Sequence, residues 1–316
     1  LGDNSASALN SGVASGFAGI EDFVGDNAND TLQGTAGDDT FTVATENDGT
    51  VADGGVNADF TNFSNLSGAN GADTFTFNAS LTGTAAGGAG DDTFSVNVNV
   101  AGTIDGGSGS ETNGDLLDLS AHATAQLVNL GDGSVSALNS GAAAGLVNVE
   151  DVTGDGTNDT LQGTGNADTF SVTATNGGSV TGGGVSADFA DFSTLNGAAG
   201  DDRFNFTNGG SVAVVNGNDG DDRTTVDLSS VTTPEQDISI DGGANGETSG
   251  DDLIVIGDGI AGNDEAAYTP TAAEAGTVDL NLDGAAGTDF TVTFVDLEPV
   301  DLTDMLIVTI NGSANT

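Results

Sequence analysis

Residues 87 to 95 read GGAGDDTFS, and the interpretation of the whole chain depends on this stretch. Three glycines, two aspartates and one phenylalanine occur within it. Such a stretch either holds a cation in an acidic turn or only turns the chain between two strands of a regular stack. The choice depends on how often the pattern returns along the chain.

The chain repeats itself over a long period. LGDNSASALNSG at 1–12 returns as LGDGSVSALNSG at 130–141, an offset of about 129 residues, and IDGGSGSETNGD at 104–115 returns as IDGGANGETSGD at 240–251. Self-similarity of this kind is typical of repeat architectures. The sequence therefore predicts a first β-solenoid repeat, a second β-solenoid repeat and a divergent β-rich terminal segment: 1–129, 130–256 and 257–316.

A shorter motif returns inside each long repeat. It consists of glycine, a few small residues, aspartate, threonine or arginine, and then a large apolar residue. Its copies begin at residues 25, 34, 68, 87, 154, 163, 197 and 217. Runs such as TFTFN and FSVNVNV alternate between apolar and polar residues, which indicates half-buried strands.

Many short strands at spacings near 9, 19 and 34 residues predict an all-β fold. The specific prediction is a right-handed parallel β-solenoid, similar to a β-helix or β-roll, built from two long repeats. An antiparallel β-sandwich is the alternative. In the solenoid the residues after Asp-Thr point inward and stack in one ladder, and a second group of phenylalanines forms another. The first ladder comprises Phe41, Phe75 and Phe94, with Phe170 and Phe204 in the second repeat; the other comprises Phe60 and Phe63, with Phe189 and Phe192 as counterparts.

The charge of the chain restricts its partners. Of 316 residues 49 are acidic and 2 are basic, which gives a net charge of −47. Such a surface repels nucleic acid and anionic membranes and attracts cations. The chain has no cysteine, so disulfides and cysteine-based zinc or redox sites are excluded. No apolar run approaches the roughly 18 to 20 residues that cross a bilayer, and we expect no membrane insertion.

The motif carries a family resemblance. GGAGDDTFS resembles the nonapeptide GGxGxDxUx of calcium-binding RTX proteins, in which U is a large apolar residue. The longer phrase GIEDFVGDNANDTLQGTAGDDTF resembles linking segments of very large bacterial surface proteins of this haemolysin-type group, and the resemblance covers most of residues 1–255 loosely. It implies Ca²⁺ held between turns by the sixth-position aspartates and by backbone carbonyls. Those aspartates are Asp30, Asp39, Asp73, Asp92, Asp159, Asp168, Asp202 and Asp222.

Calcium is chemically reasonable at such turns, because it takes six to eight hard oxygen ligands in a flexible arrangement. The alternative is that glycine-aspartate turns carry solvated carboxylates that face a salty medium. Other site chemistry is poorly supported, because His122 has no cysteine or second histidine to accompany it. Arg203 and Arg223 are expected to pair with neighbouring aspartates on the exterior.

These patterns predict a non-enzymatic extracellular structural protein. It would be an acidic, calcium-stabilised β-solenoid module of a surface adhesin, filament or sheath of a bacterium or archaeon. The first alternative is a secreted polysaccharide lyase or epimerase built on a β-helix. An ice-binding solenoid is a further alternative because threonine is plentiful, but phenylalanines interrupt the Thr-x-Thr triplets and their spacing is irregular.

Two late segments complete the sequence predictions. Residues 263–276, interrupted by Pro270, are expected to form an inserted loop. The apolar LIVTI run at 306–310 reads as an exposed strand edge, which would recruit another copy of the chain head to tail. The chain opens in the middle of a repeat, so a mature protein or a piece of a longer one with covalent neighbours in a stalk is also expected.

Overall fold

The computed structural model describes most of the chain, with short gaps. The described residues are 21–53, 56–109, 111–229, 236–243, 248–257, 265–282, 288–297, 299–305 and 307–311. They form an all-β protein whose only helical feature is a short 3-10 turn at Asn139–Gly141. Within this part of the chain no helix is long and apolar enough to cross a membrane. The predicted all-β class is confirmed.

Contacts divide the chain into two compact units. Unit 1 comprises residues 1–128 and 132–155, and unit 2 comprises residues 129–131 and 156–316. The predicted boundary at residue 130 separates two sequence repeats, whereas these units are defined by contacts in space. The repeat boundary therefore stays a prediction.

The strands of unit 1 are short. They are β1 Asp22–Val24, β2 Thr31–Gln33, β3 Asp39–Thr45, β4 Asp48–Asp53, β5 Val56–Thr61, β6 Asn65–Asn70, β7 Thr74–Phe77, β8 Thr84–Ala89, β9 Thr93–Val96, β10 Thr103–Gly107, β11 Leu116–Asp118, β12 Leu127–Asn129 (whose last residue belongs to unit 2), β13 Ser134–Val135, β14 Leu146–Val147 and β15 Asp151–Thr153.

The strands of unit 2 have similar lengths. They are β16 Thr160–Gln162, β17 Asp168–Ala174, β18 Gly177–Gly182, β19 Val185–Ala190, β20 Thr194–Ala199, β21 Arg203–Phe206, β22 Val214–Asp219, β23 Arg223–Asp227, β24 Ile238–Asp241, β25 Asp252–Ile256, β26 Glu265–Ala272, β27 Ala275–Asn281, β28 Phe290–Val295, β29 Val300–Thr303 and β30 Ile307–Ile310.

The chain alternates between two sheets in each unit. In unit 1, sheet A1 has the order β1-β5-β4-β3-β7-β9-β11-β15 and sheet B1 the order β14-β10-β8-β6-β2. In unit 2, sheet A2 has the order β19-β18-β17-β21-β23-β25-β29 and sheet B2 the order β16-β20-β22-β24-β28-β27-β26-β30. One strand in a B sheet and the next strand in an A sheet make one rung. Because each rung returns to the same sheet in the same direction, neighbouring rungs pair in parallel.

Antiparallel segments interrupt this parallel pattern. Strands β3, β4 and β5 form an antiparallel meander, and β17, β18 and β19 form its counterpart in unit 2. Asn47, which has φ of 59°, lies in the turn that joins β3 to β4, since asparagine tolerates this left-handed conformation. The purely parallel fold predicted from the sequence did not include these meanders.

The prediction of an inserted loop at 263–276 is wrong for its described part. Strands β26 and β27 form an antiparallel hairpin there, in which Pro270 lies opposite Gly276. Strand β30 pairs with β26 only from Glu265 to Tyr268. Pro270 therefore lies beyond that ladder, where its missing N–H is tolerated.

The core of each unit consists of the buried apolar side chains of these strands. Phe41 stacks on Phe75 with ring centroids 4.8 Å apart, and Phe75 stacks on Phe94 at 4.9 Å. Phe170 stacks on Phe204 at 4.9 Å. All five rings are completely buried, so the predicted first ladder is confirmed in both units.

The second phenylalanine group is arranged differently. Phe60 meets Phe63 edge to face at 6.4 Å rather than in a stack. In unit 2, Phe189 and Phe192 are both buried. Phe60 and Phe189 belong to the meander strands β5 and β19, whereas the first ladder runs through successive rungs.

Candidate functional site

The motif aspartates of unit 1 form a continuous hydrogen-bonded column. Asp39, Asp73 and Asp92 lie where the chain turns into sheet A1, and Asp115 occupies the same corner one rung later. Each backbone N–H donates to Oδ1 of the aspartate in the following rung, at 2.7 Å in all three links. The N–H of Asp115 donates instead to Oε2 of Glu150, at 3.0 Å. We call Asp39, Asp73, Asp92 and Asp115 the first aspartate column.

Unit 2 contains the same arrangement. The N–H of Asp168 donates to Asp202 at 2.7 Å, that of Asp202 to Asp222 at 2.7 Å, and that of Asp222 to Asp251 at 2.6 Å. These four residues are the second aspartate column. Its members are buried, the most exposed at 4%. Each column therefore joins its rungs through links that the ordinary β-ladder does not supply.

The structure separates the eight predicted aspartates into two groups. Six of them lie in the columns, whereas Asp30 and Asp159 precede β2 and β16 at the opposite corners of the rungs. Asp30 accepts the N–H of Asp26 at 2.6 Å within its own turn. Asp159 is fully buried, and its carbonyl accepts the N–H of Thr194. These two are not brought together with the column members.

Sequence reasoning missed Asp115 and Asp251, which end the columns. In the motif copies the aspartate follows the first glycine by five residues, whereas Asp115 follows Gly106 by nine and Asp251 follows Gly242 by nine. The longer loop hides the equivalence. The signal that could have revealed them is the repeated phrase at 104–115 and 240–251, whose last residue is aspartate in both copies.

The first glycine of the motif is required by the carboxylate beside it. A Cβ on Gly34 would lie 2.2 Å from Oδ2 of Asp39, and a Cβ on Gly87 would lie 2.1 Å from Oδ2 of Asp92. Real Cβ atoms essentially never approach another heavy atom closer than 3.0 Å. Gly90, at the fourth position of its copy, requires glycine for another reason, because its φ is +129°. Close packing and backbone conformation therefore account for Gly34, Gly87 and Gly90.

The column carboxylates are incompletely satisfied. In Asp73, Asp92, Asp115 and Asp202 the oxygen Oδ2 is buried and has no hydrogen-bond donor among the described residues. A buried ionised carboxylate is expensive unless it is paired and hydrogen-bonded. The only lysine or arginine residues of the chain are Arg203 and Arg223, so residues 1–155 offer neither residue as a counter-charge.

Burial is the largest cause of the pKa shifts of these column carboxylates. It raises the pKa of Asp202 to about 8 and that of Asp92 to about 7. It also raises the pKa of Asp73 and of Asp115 to about 6. In each case the hydrogen bond from a neighbouring aspartate N–H opposes the effect and nearby carboxylates add to it. Burial therefore favours the neutral, protonated form of these carboxylates, and a bound cation would favour the ionised form.

The columns alone do not fit a calcium ion in every turn. Ca²⁺ takes six to eight oxygen ligands at 2.3–2.6 Å. Asp92 commits Oδ1 to the N–H of Asp73 and keeps only Oδ2, which lies beside Gly87 and is buried. One uncommitted, enclosed oxygen per rung does not make a coordination sphere. Calcium ligation by the eight predicted aspartates stays a prediction.

A second set of aspartates lies outside the columns, at the fifth motif position. Asp91 accepts the N–H of Thr112 at 2.6 Å, and Asp221 accepts that of Thr248 at 2.6 Å. Backbone hydrogen bonds of this kind lower the pKa of Asp91 and of Asp221. Because these carboxylates are accessible and well satisfied, they tie each turn to the next one while ionised.

The arginines and the histidine lie outside the two aspartate columns. Arg223 forms an ion pair with Asp252 at 2.6 Å, which confirms its predicted pairing, and Arg203 lies beside Arg223 in register. His122 is buried, with Nε2 3.0 Å from Oδ1 of Asn99 and Nδ1 2.8 Å from Nε2 of Gln126.

One acidic cluster differs from the columns in its geometry. Glu111, Asp115 and Glu150 each place one carboxylate oxygen within 4.8 Å of the others.

Comparison with known protein families gave no match, and a search of curated proteins found no significant relative. Function is therefore inferred from the geometry of the chain itself.

Proposed function

We propose that this protein is a non-enzymatic structural module of an extracellular adhesin, filament or sheath. One observation carries the proposal: the residues that the sequence repeats most often contact their own copies in the next rung. Phe75 stacks between Phe41 and Phe94, and Asp73 is linked to Asp39 and Asp92. In such a repeat protein each rung stabilises its neighbours, so stability grows with the number of rungs.

We propose further that each unit winds as a right-handed β-solenoid. The support is the regular alternation of the chain between an A sheet and a B sheet, with parallel pairing in both. Connections between parallel strands of one sheet are right-handed in about 98% of cases, because a right-twisted strand packs back onto the sheet only in that way.

The charge and one strand edge support the proposed partners, which are divalent cations and further copies of the chain. With a net charge of −47, copies repel one another until cations neutralise them. Strand β30 ends the order of sheet B2 among the described strands, and its Ile307, Val308 and Ile310 are 45%, 44% and 69% exposed. An exposed apolar edge of this kind pairs with another strand. The RTX-like motif is consistent with the calcium-rich setting outside a cell.

Antibody labelling of the cells that produce the protein tests the proposed location. Intact cells should be labelled as strongly as permeabilised cells. Labelling that requires permeabilisation would refute an extracellular role. The rival enzymatic function is tested by incubating the purified chain with polyuronates, where release of unsaturated products would support a lyase instead.

One observation favours ice binding as a second candidate. Thr40, Thr74 and Thr93 lie side by side in register, and so do Thr42, Thr76 and Ser95. The expectation that phenylalanine interrupts these triplets is wrong in unit 1, because the intervening rings point into the core. The array spans three rungs. A measurement of thermal hysteresis distinguishes this candidate, since a purely structural module should show none.

A further inference from the structure

The first aspartate column ends in a cluster that can hold a metal ion. We propose that Glu111, Asp115 and Glu150 bind one divalent cation, preferentially Ca²⁺, and that this ion stabilises unit 1. One oxygen from each carboxylate lies within 4.8 Å of the other two. Two of these residues lie outside the glycine-aspartate motif, so the site is distinct from the predicted sixth-position ligands. It adds a cation to the proposed structural function without depending on where the protein is located.

The buried member of the cluster points independently to a ligand. Asp115 is fully buried, and its Oδ1 accepts the N–H of Asp92 at 2.7 Å. Its Oδ2 is also buried and has no donor among the described residues. A buried carboxylate oxygen without a partner is destabilising, and a bound cation would satisfy it.

The two glutamates are already oriented by the backbone. The N–H of Gly109 donates to Oε1 of Glu111 at 3.0 Å, and the N–H of Asp115 donates to Oε2 of Glu150 at 3.0 Å. The loop that carries Glu111 is tied to the preceding rung, because Asp91 accepts the N–H of Thr112 at 2.6 Å. A site whose ligands are held before binding loses less conformational entropy when the ion enters.

The surrounding charge favours the binding of a cation from solution. The carboxylates of Glu111, Glu150 and Asp91 all act on Asp115 with the same sign of charge. Residues 1–155 contain no lysine or arginine to compensate for them. Like charges at such separations repel one another, and the repulsion is larger away from bulk water.

The ligand chemistry favours a hard cation, and Ca²⁺ over Mg²⁺. All three side chains offer oxygen, which suits Ca²⁺ and Mg²⁺ rather than a metal that prefers nitrogen or sulfur. Calcium binds at 2.3–2.6 Å, so ligand oxygens lie up to about 5 Å apart across the ion, and three oxygens within 4.8 Å of one another can all reach one Ca²⁺. Mg²⁺ requires near-ideal octahedral geometry and keeps its waters. The second sequence copy has Glu247 and Asp251 at the positions equivalent to Glu111 and Asp115, and Glu247 lies outside the described residues.

Calorimetric titration of the full chain with CaCl₂, at ionic strength fixed with NaCl, tests the proposal. The wild type is expected to bind with a Kd of about 10⁻⁴ to 10⁻³ M, as extracellular calcium modules do. The double variant Glu111→Gln/Glu150→Gln should lose one bound ion per chain or at least tenfold in affinity. The matched control is Glu21→Gln/Glu46→Gln, which removes the same two charges from exposed positions of unit 1 and should leave binding unchanged.

Two results would overturn the site. One is an unchanged stoichiometry and affinity in the double variant. The other is equal thermal stabilisation of the wild type by CaCl₂ and by NaCl at matched ionic strength, which would indicate screening alone. Both glutamates are partly exposed, so the variants should fold, and circular dichroism verifies this. If the double variant does not fold, the single variant Glu111→Gln serves in its place. Surface labelling of cells is unaffected by either result, so the structural function is tested separately.

Discussion

Replacing Gly34 by alanine tests whether the motif glycine exists to accommodate the column carboxylate. The added Cβ would lie 2.2 Å from Oδ2 of Asp39, which is 1.2 Å short of the 3.4 Å at which ordinary contact begins, and 3.0 Å from the carbonyl oxygen of Gly68. To move away, the carboxylate must give up the N–H of Thr35, which it accepts at 2.6 Å. Overpacking costs about 1 to 3 kcal/mol, and a hydrogen bond to a charged group contributes about 1.5 to 3 kcal/mol. We expect a loss of about 2 to 5 kcal/mol.

The matched control lies in the same motif copy. A Cβ on Gly37 would have its nearest neighbour at 3.8 Å, the hydroxyl oxygen of Thr35, and Gly37 is exposed. Because glycine is the more flexible residue in the unfolded chain, Gly37→Ala should be neutral or stabilising by up to about 1 kcal/mol. Urea unfolding of both variants, followed by circular dichroism, measures the difference. Equal stabilities of Gly34→Ala and Gly37→Ala would refute the close packing of glycine against aspartate.

Two further predictions concern the core and the strand edge. Phe94→Ala should lower the free energy of unfolding by about 3 to 5 kcal/mol, because the ring is completely buried in the phenylalanine stack. Ser95→Ala, on the outer face of the same strand, should change it by less than about 1 kcal/mol. Similar losses in both variants would contradict the inward ladder. Light scattering should show association of the full chain as salt or CaCl₂ is added, and Ile307→Lys/Ile310→Lys should suppress it, since charge protects an exposed edge. A monomer at every concentration and salt level would leave covalent neighbours as the better interpretation.

The stacked core could be predicted from the sequence because its signals are local. Alternation in TFTF and TFSV fixes which side chains share a face, and identical motifs at regular spacing indicate that Phe75 and Phe94 occupy the same place in successive rungs. The meanders could not be read in this way, because β5 alternates between exposed and buried residues just as a parallel strand does, and β4 shows no alternation. Among the described residues, the turn at Asn47, with φ of 59°, is where the chain reverses from β3 into β4. Pro270 suggested a loop because proline cannot donate a hydrogen bond to a β-ladder. The strand accepts Pro270 because β30 pairs only with residues before it, and the sequence around Pro270 does not reveal this long-range pairing.

The candidate site was predictable only in part. The motif identified Asp39, Asp73 and Asp92 as a related set, but a sequence does not show which oxygen of each carboxylate is already committed. That commitment is the reason why the columns act as links between rungs. Glu150 carries no motif signal, since it follows Asp115 by 35 residues and comes opposite to it only through the pairing of β11 with β15.

The dependence of stability on pH tests the central claim, that buried aspartate columns hold the rungs together. The pKa values of Asp202, about 8, and of Asp92, about 7, lie far above the value near 3.9 of an aspartate in an unfolded chain. Between these limits the folded protein binds more protons than the unfolded chain, so its stability falls as the pH rises. Ordinary surface carboxylates titrate below about pH 5 and do not contribute above pH 6.

The decisive measurement is the free energy of unfolding of the full chain from pH 6 to pH 8.5, in EDTA and at constant NaCl. The wild type should lose stability steadily over this range. Asp202→Asn keeps an oxygen to accept the N–H of Asp168 but carries no charge, so it should remove most of the dependence above pH 7. His122→Gln should leave the dependence in place, which excludes the histidine as its source. Stability that stays constant or rises with pH over this range, or an unchanged slope in Asp202→Asn, would contradict the account.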